Sequence, residues 1–216
     1  MINTLIVLFG LTMLYMVTTS RLKAQIRMLS FQGLLLFLIL YLGEDKTDAA
    51  SLVFLSVETL LVKAIVIPSF LKKVLKKNET FRDNDPNIPN FYSLVIASVL
   101  LFAGFIISNI KGLSSENITT LYFGVSISTI LISLFFITTK KKILTHIIGY
   151  IMLENGIFLL SLSVAKEMPM IVSLGVLLDV FIAVFILGLL VNKINNVFDE
   201  LNVCKLCRLK DCEYDD

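Results

Sequence analysis

Seven apolar stretches recur along this chain, and they constrain its fold more than any other feature. A helix of about 20 apolar residues is long enough to cross the roughly 30 Å hydrocarbon core of a bilayer. Of all residues, 56% are hydrophobic and only 17% are charged, a composition typical of membrane proteins. The sequence therefore predicts an all-α, polytopic transmembrane bundle of about seven helices, spanning residues 2–19, 28–43, 50–71, 91–110, 118–138, 143–165 and 169–192. The second stretch is short, and an extension towards Ala24 is left open.

The segments between these stretches are too short to hold a soluble domain, and the longest runs over residues 72–90. The first stretch has no basic residue before it and no small-x-small cleavage site after it, which favours a retained helix over a signal peptide. The sequence has no strand periodicity, nucleotide-binding glycine loop, Ser-His-Asp order or carboxylate-histidine metal pattern. We therefore expect this chain to have no catalytic centre or cofactor of its own and no nucleic-acid partner.

The basic residues predict how the chain is oriented in the membrane. When the seven stretches are threaded alternately, fifteen Lys and Arg residues fall on one side and three on the other, and Lys63 lies inside a stretch. Cytoplasmic loops carry the excess of basic residues. The N-terminus is therefore expected outside and the C-terminus in the cytoplasm.

Two acids lie near the middle of predicted membrane helices. Glu154 stands in "GYIMLENGIFLL" and Asp179 in "VLLDVFIAVFILGLL". A charged residue at the centre of such a helix costs roughly 2.5 to 3.5 kcal/mol to insert, so each acid needs a reason to be there. A short turn joins the two helices, so we expect the carboxylates to lie at similar depth on facing surfaces. They are candidates for an ion relay, and the alternative is a pair of protonated acids that hydrogen-bond across helices.

The third stretch carries Glu58 and Lys63, which are also candidates for ion translocation. At 100° per residue they lie about 140° apart around an ideal α-helix, so they are expected to face different partners. Pro68 lacks an N–H group and is expected to open or bend the helix locally. Lys63 is either a buried proton carrier or a side chain that extends towards the basic end at Lys72 and Lys73.

Two further polar residues lie inside or at the edge of the stretches. His146, the only histidine, is a weaker candidate for feeding protons towards Glu154, and a plain interfacial role is the alternative. Gln32, beside Gly33, is expected to form a hydrogen bond between helices.

The C-terminal segment "VCKLCRLKDCEYDD" contains all three cysteines, Cys204, Cys207 and Cys212. A C-x2-C pair suits zinc or an iron-sulfur cluster, but such sites normally take four ligands. The prediction is therefore three reduced thiols on a cytoplasmic tail, with a metal site completed by a partner as the alternative.

The run "GYIMLENGIFLLSLSV", followed by a helix with a midmembrane acid, resembles the K subunit of bacterial complex I and the C-type subunits of multisubunit antiporters. Seven stretches, together with "LVKAIVIPSFLKK", resemble more specifically the hydrogenase-4 component E family. This family provides membrane subunits of group 4 hydrogenase and formate hydrogenlyase-like complexes. In the K-subunit pattern two functional glutamates correspond to Glu154 and Asp179. The second position is aspartate in this chain, and its side chain is one methylene shorter than that of glutamate.

The resemblance implies a membrane-arm subunit of a redox-driven ion pump in a prokaryotic cytoplasmic membrane. Its partners would be antiporter-like large subunits, small complex I-like subunits and lipid, and any NiFe or iron-sulfur centre would belong to other subunits. Two alternatives remain: a structural subunit that joins antiporter-like subunits, and a subunit of a Na⁺/H⁺ antiporter without redox activity. Carboxylates serve H⁺ and Na⁺ alike, so the sequence leaves both ions open.

Four regions are expected along the chain. They are a three-helix unit with a cytoplasmic loop over 1–90, a connecting helix over 91–117, a K-subunit-like three-helix unit over 118–192, and a cytoplasmic tail over 193–216.

Overall fold

The computed structural model describes residues 2–43, 56–77, 89–109 and 120–164, and these ranges are helical apart from a few residues at turns and ends. The elements, in chain order, are α1 (Ile2–Thr18), α2 (Leu22–Gly43), a π-helix (Glu58–Val66) that continues directly into α3 (Ile67–Lys77), α4 (Asn90–Ser108), α5 (Thr120–Thr139) and α6 (Ile143–Val164). The all-α class predicted from the sequence is confirmed for this part of the chain.

Within the described ranges, four helices are long and apolar enough to cross a membrane by length and composition. They are α2, α4, α5 and α6, with mean hydropathies of 1.6, 2.3, 2.0 and 1.3 over their candidate spans. Helix α1 is apolar but shorter, at 17 residues. The predicted stretch at 169–192 lies outside the described residues.

The predicted ends of two stretches are corrected. Helix α2 begins at Leu22, six residues before the predicted start at 28, because Lys23 and Arg27 continue the helix with exposed side chains. The third predicted stretch, 50–71, also ends too early, because α3 continues to Lys77. Lysine and arginine are good helix formers, whereas hydropathy registers only the apolar part of a helix.

Helix α6 lies inside the bundle and α4 lies at its edge. In their candidate spans, 56% of α6 is buried, against 22% of α4. Helix α2 packs against α1, the π-helix, α3 and α6, while α5 packs against α1, α4 and α6. Helix α2 therefore contacts both the π-helix and α6.

Small residues bring α4 and α5 close together. A Cβ atom at Gly104 would lie 2.8 Å from the backbone nitrogen of Ser128 and 2.9 Å from the carbonyl oxygen of Gly124. The Ser128 hydroxyl donates to the carbonyl oxygens of Gly124, at 2.7 Å, and Leu101, at 3.0 Å. Close backbone approach at small residues is a common way for helices to associate in membranes, where apolar burial drives little association.

Candidate functional site: a buried lysine-glutamate pair

Glu154 pairs with Lys63 inside the bundle. The Lys63 Nζ atom lies 3.1 Å from the Glu154 Oε1 atom, and the two side chains are 1% and 3% exposed. Removing one buried charge of such a pair is costly, because the other is then left uncompensated in a low-dielectric interior. The pair thus explains how an acid and a base are both held in the middle of an apolar bundle.

An aromatic ring completes the surroundings of the lysine. The Nζ atom of Lys63 lies 4.6 Å from the centre of the Phe158 ring. Phe158 follows Glu154 by four residues on α6, so the carboxylate and the ring lie on the same face of that helix. Both groups attract a cation, the first by its charge and the second by its quadrupole. One face of α6 therefore forms a cation-binding surface that Lys63 occupies.

The π-helix holds Lys63 on the opposite side of the pair. It runs over Glu58–Val66 and gives way to α3 immediately before Pro68. Pro68 has no N–H group, so it removes a hydrogen bond from this continuous helical segment. This agrees with the expected local opening of the helix near Pro68. Such i→i+5 segments are rare and are frequently found at functional sites.

The π-helix also corrects the predicted spacing of Glu58 and Lys63. The angle of about 140° assumed an α-helical period of 100° per residue. The backbone of Glu58–Val66 has the i→i+5 register instead, so that period does not apply to this segment.

A chain of hydrogen bonds runs beside the pair and joins α6, α2 and α1. Asn155, the residue after Glu154, donates from Nδ2 to the Gln32 Oε1 atom at 3.4 Å. Gln32 donates from Nε2 to the Thr12 hydroxyl at 2.9 Å, and Thr12 donates to the carbonyl oxygen of Phe9 at 2.6 Å. All three polar side chains are buried. The expectation that Gln32 forms a hydrogen bond between helices is confirmed.

The other predicted site residues differ in what the structure says of them. The interpretation of Lys63 as a side chain extending towards Lys72 and Lys73 is wrong, because its ammonium is buried against Glu154. The half-buried His146 bonds through Nδ1 to the carbonyl oxygen of Lys142, at 2.8 Å, one turn earlier in the chain. Since a carbonyl only accepts, Nδ1 carries the proton in this contact.

Several of the predicted site residues are not placed by the structure. The backbone of Glu58 belongs to the π-helix. Asp179 and the three cysteines, Cys204, Cys207 and Cys212, lie outside the described residues. In the ranges that the structure does describe, no group of three or more His, Cys, Asp or Glu side chains is arranged to hold a metal ion.

Sequence reasoning missed two members of this site, Asn155 and Phe158. Asn155 had a usable signal, since a buried amide next to a midmembrane acid is costly unless it is hydrogen-bonded. Phe158 had none, because a ring that faces a buried cation and a ring that faces lipid have the same hydropathy. The Lys63–Glu154 pair joins residues from two predicted stretches, and their spacing in the sequence does not indicate it.

The pair has the chemistry for one proton transfer. Moving one proton from Lys63 Nζ to Glu154 Oε1 converts ammonium and carboxylate into amine and carboxylic acid. The 3.1 Å separation is within hydrogen-bond range for this transfer. Ionisable residues inside a membrane protein frequently mark such ion pathways.

Comparison with known proteins gives relatives of similar length. The chain is 28% identical over 191 residues to an uncharacterized protein of Mycobacterium tuberculosis, covering 88% of this chain and 87% of the relative. It is 24% identical over 216 residues to Hydrogenase-4 component E of Escherichia coli K12, covering 97% of each chain, and equally to the protein of that name from Shigella flexneri. No family model matches the chain, and no solved structure gives a significant match. Over almost its whole length, the chain is therefore distantly similar to a named hydrogenase component.

Proposed function

We propose that this chain is a membrane subunit of a hydrogenase-type complex that couples a redox reaction to ion transport. The observation that carries the proposal is the buried pair of Lys63 and Glu154, 3.1 Å apart. An ion pair in the apolar interior of a helical bundle is expensive to build, and in membrane proteins such groups are usually functional. The distant similarity to Hydrogenase-4 component E supports the type of complex.

In this proposal the pair is a loading point for the transported ion. Transfer of a proton from Lys63 to Glu154 removes both charges, so the electrostatic attraction that holds the side chains together is lost. The amine then takes a proton from one side of the membrane, and the acid releases its proton towards the other. A Na⁺ ion would instead take the place of the ammonium against the carboxylate and the Phe158 ring.

The wider arrangement is proposed from the sequence. The chain would have seven transmembrane helices with the N-terminus outside, and the C-terminal unit over 118–192 would match the K subunit of complex I. Asp179, at a depth similar to that of Glu154, would be the next ion-binding group. The three-helix unit over 1–90 and the connecting helix over 91–117 would precede it, and the chain's partners would be antiporter-like and small complex I-like subunits of a prokaryotic cytoplasmic membrane. The segment over 193–216 would be a cytoplasmic tail.

A structural role is the second candidate, and a specific observation favours it. The ion pair and the amide chain of Asn155 and Gln32 join α6 to the π-helix and to α2, as expected of groups that hold helices together. In that case the subunit would connect antiporter-like neighbours without carrying ions. An antiporter subunit without redox activity is the third candidate.

The test is ion translocation per electron in proteoliposomes that contain the complex purified with its native partners. Glu154→Gln keeps the size of the side chain but removes the exchangeable proton. We expect the complex to assemble and its redox half-reaction to proceed, while ion translocation falls severely. Asp179→Asn is expected to give the same pattern. Asp179→Glu is expected to be tolerated, because it gives the side chain the length of the glutamate in the K-subunit pattern.

Lys140 provides a matched control. It is a second buried lysine whose ammonium lies near a phenylalanine ring, 5.5 Å from the centre of Phe136, but it lies in the turn between α5 and α6. Lys63→Met is expected to abolish translocation, and Lys140→Met to preserve it. Full translocation in Glu154→Gln and Lys63→Met would support the structural role instead. Co-purification with antiporter subunits and no redox subunit would favour the third candidate.

A further inference from the structure

Two consecutive residues of α2 contact the two segments that carry the ion pair. A Cβ atom at Gly33 would lie 2.8 Å from the backbone nitrogen of Ala64 and 2.9 Å from the carbonyl carbon of Lys63. Real Cβ atoms do not approach backbone atoms so closely, so α2 and the π-helix meet here without a side chain between them. Gly33 therefore sets how near the backbone of Lys63 comes to α2.

The preceding residue, Gln32, reaches the other partner of the pair. Its Oε1 atom accepts a hydrogen bond from Asn155, which directly follows Glu154 on α6. The orientation of its amide is fixed from the other side. The Thr12 hydroxyl donates its one proton to the carbonyl oxygen of Phe9, so towards Gln32 it can only accept. The Gln32 Nε2 atom therefore faces Thr12, and the Oε1 atom faces Asn155.

We propose that Gln32 and Gly33 of α2 together set the separation of Lys63 and Glu154. One residue fixes the backbone that carries the lysine, and the other fixes the residue next to the glutamate. Neither touches the transported ion, so both act through the pair. The transport consequence of this inference rests on the proposed function, whereas its geometric content does not.

The experiment uses Gln32→Leu and Gly33→Ala in the purified complex with its native partners. Two properties are measured: ions translocated per electron, and the infrared carboxyl band of Glu154, assigned by its loss in Glu154→Gln. We expect both variants to shift or broaden this band. They should also lower ions per electron at least about fivefold, since misplacing a reacting group by about 1 Å can cost up to about 100-fold in rate.

The chain offers a matched control for each substitution. Gln25 is also a buried glutamine of α2, but its amide donates to the carbonyl oxygen of Thr19 at 2.6 Å in the turn after α1. Gly104 also has backbone atoms within 3 Å of its Cβ position, between α4 and α5. Gln25→Leu and Gly104→Ala are expected to change neither the Glu154 band nor the ions per electron of the assembled complex.

A third pair of variants changes a single hydroxyl. Thr12→Val removes the group that orients Gln32, whereas Thr12→Ser retains it. Thr12→Val is expected to shift the Glu154 band and lower ions per electron. Thr12→Ser is expected to leave both as they are in the unaltered chain. This pair decides the question if Gly33→Ala prevents assembly.

The outcomes separate this inference from the proposed function. An unchanged Glu154 band in Gln32→Leu and Thr12→Val would overturn the inference that Gln32 and Gly33 position the ion pair, whatever the transport result. Full translocation in Glu154→Gln would overturn the proposed function, while the band would still report on positioning. Equal band shifts in Gln25→Leu and Gln32→Leu would also overturn the inference about positioning, since any buried glutamine of α2 would then have the same effect.

Discussion

The ammonium of Lys63 lies over the ring of Phe158, 4.6 Å from its centre, while the same ammonium pairs with Glu154 one helical turn earlier on α6. The lysine is therefore held by two groups of different chemistry on one helix. Because the ring carries no exchangeable proton, it attracts the charged form of the lysine without competing for its proton.

Replacing the ring is expected to weaken this hold. A cation-π contact contributes about 0.5 to 2 kcal/mol, so Phe158→Leu should lower ions per electron by about two- to thirtyfold with the complex still assembled. The control is Phe136→Leu, which removes the ring beside Lys140. Translocation in proteoliposomes is the measurement. Equal losses in the two variants would assign the effect to general packing and not to Lys63.

Removing one charge of the pair is expected to destabilise the subunit more than removing both. Loss of one partner of a buried pair costs about 3 to 5 kcal/mol, whereas replacing both with apolar residues of similar volume is often neutral. The melting temperature of the purified complex should therefore fall in Lys63→Met and recover in the double variant Lys63→Met with Glu154→Met. Translocation should be lost in both. A double variant less stable than Lys63→Met would contradict this account.

The topology can be tested by labelling. After Cys204, Cys207 and Cys212 are changed to Ser, single cysteines introduced over 72–85 should react only from the cytoplasmic side. Single cysteines introduced over 44–48 should react from outside. The reason is the split of fifteen basic residues against three between the two sets of loops. The reverse labelling pattern would invert the proposed orientation.

The cysteine segment gives a separate prediction. If Cys204, Cys207 and Cys212 are reduced thiols, changing all three to Ser leaves the metal content and the assembly of the complex unchanged. Metal analysis of the purified complex, with the unaltered chain as the control, is the measurement. A loss of bound zinc or iron in the triple variant would show that a partner completes a metal site with them.

Among the described residues, hydropathy was enough to predict the four helices long enough to cross a membrane, because such a helix must be apolar over most of its length. The stretches at 91–110 and 118–138 agree closely with Asn90–Ser108 and Thr120–Thr139. The ends of α2 and α3 were not predictable in this way. The first turns of α2 and the last turns of α3 carry lysine or arginine, which continue a helix without being apolar.

The burial of Glu154 and the role of Gln32 were also predictable, since each is a polar residue inside an apolar stretch and needs a partner. The partner itself was not. It depends on the register of the π-helix and on the close approach at Gly33, which follow from hydrogen bonding and packing between distant segments. A rule based on 100° per residue contains neither of these.

The direction of the hydrogen bonds in the amide chain has a consequence for where protons can travel. Asn155 donates to Gln32, Gln32 to Thr12, and Thr12 to a backbone carbonyl. Carboxamides keep their protons at any physiological pH, so this row of groups transmits orientation but conducts no charge. Protons therefore do not pass along this row from the pair towards α1, and under the proposed function they would have to reach Glu154 by another route.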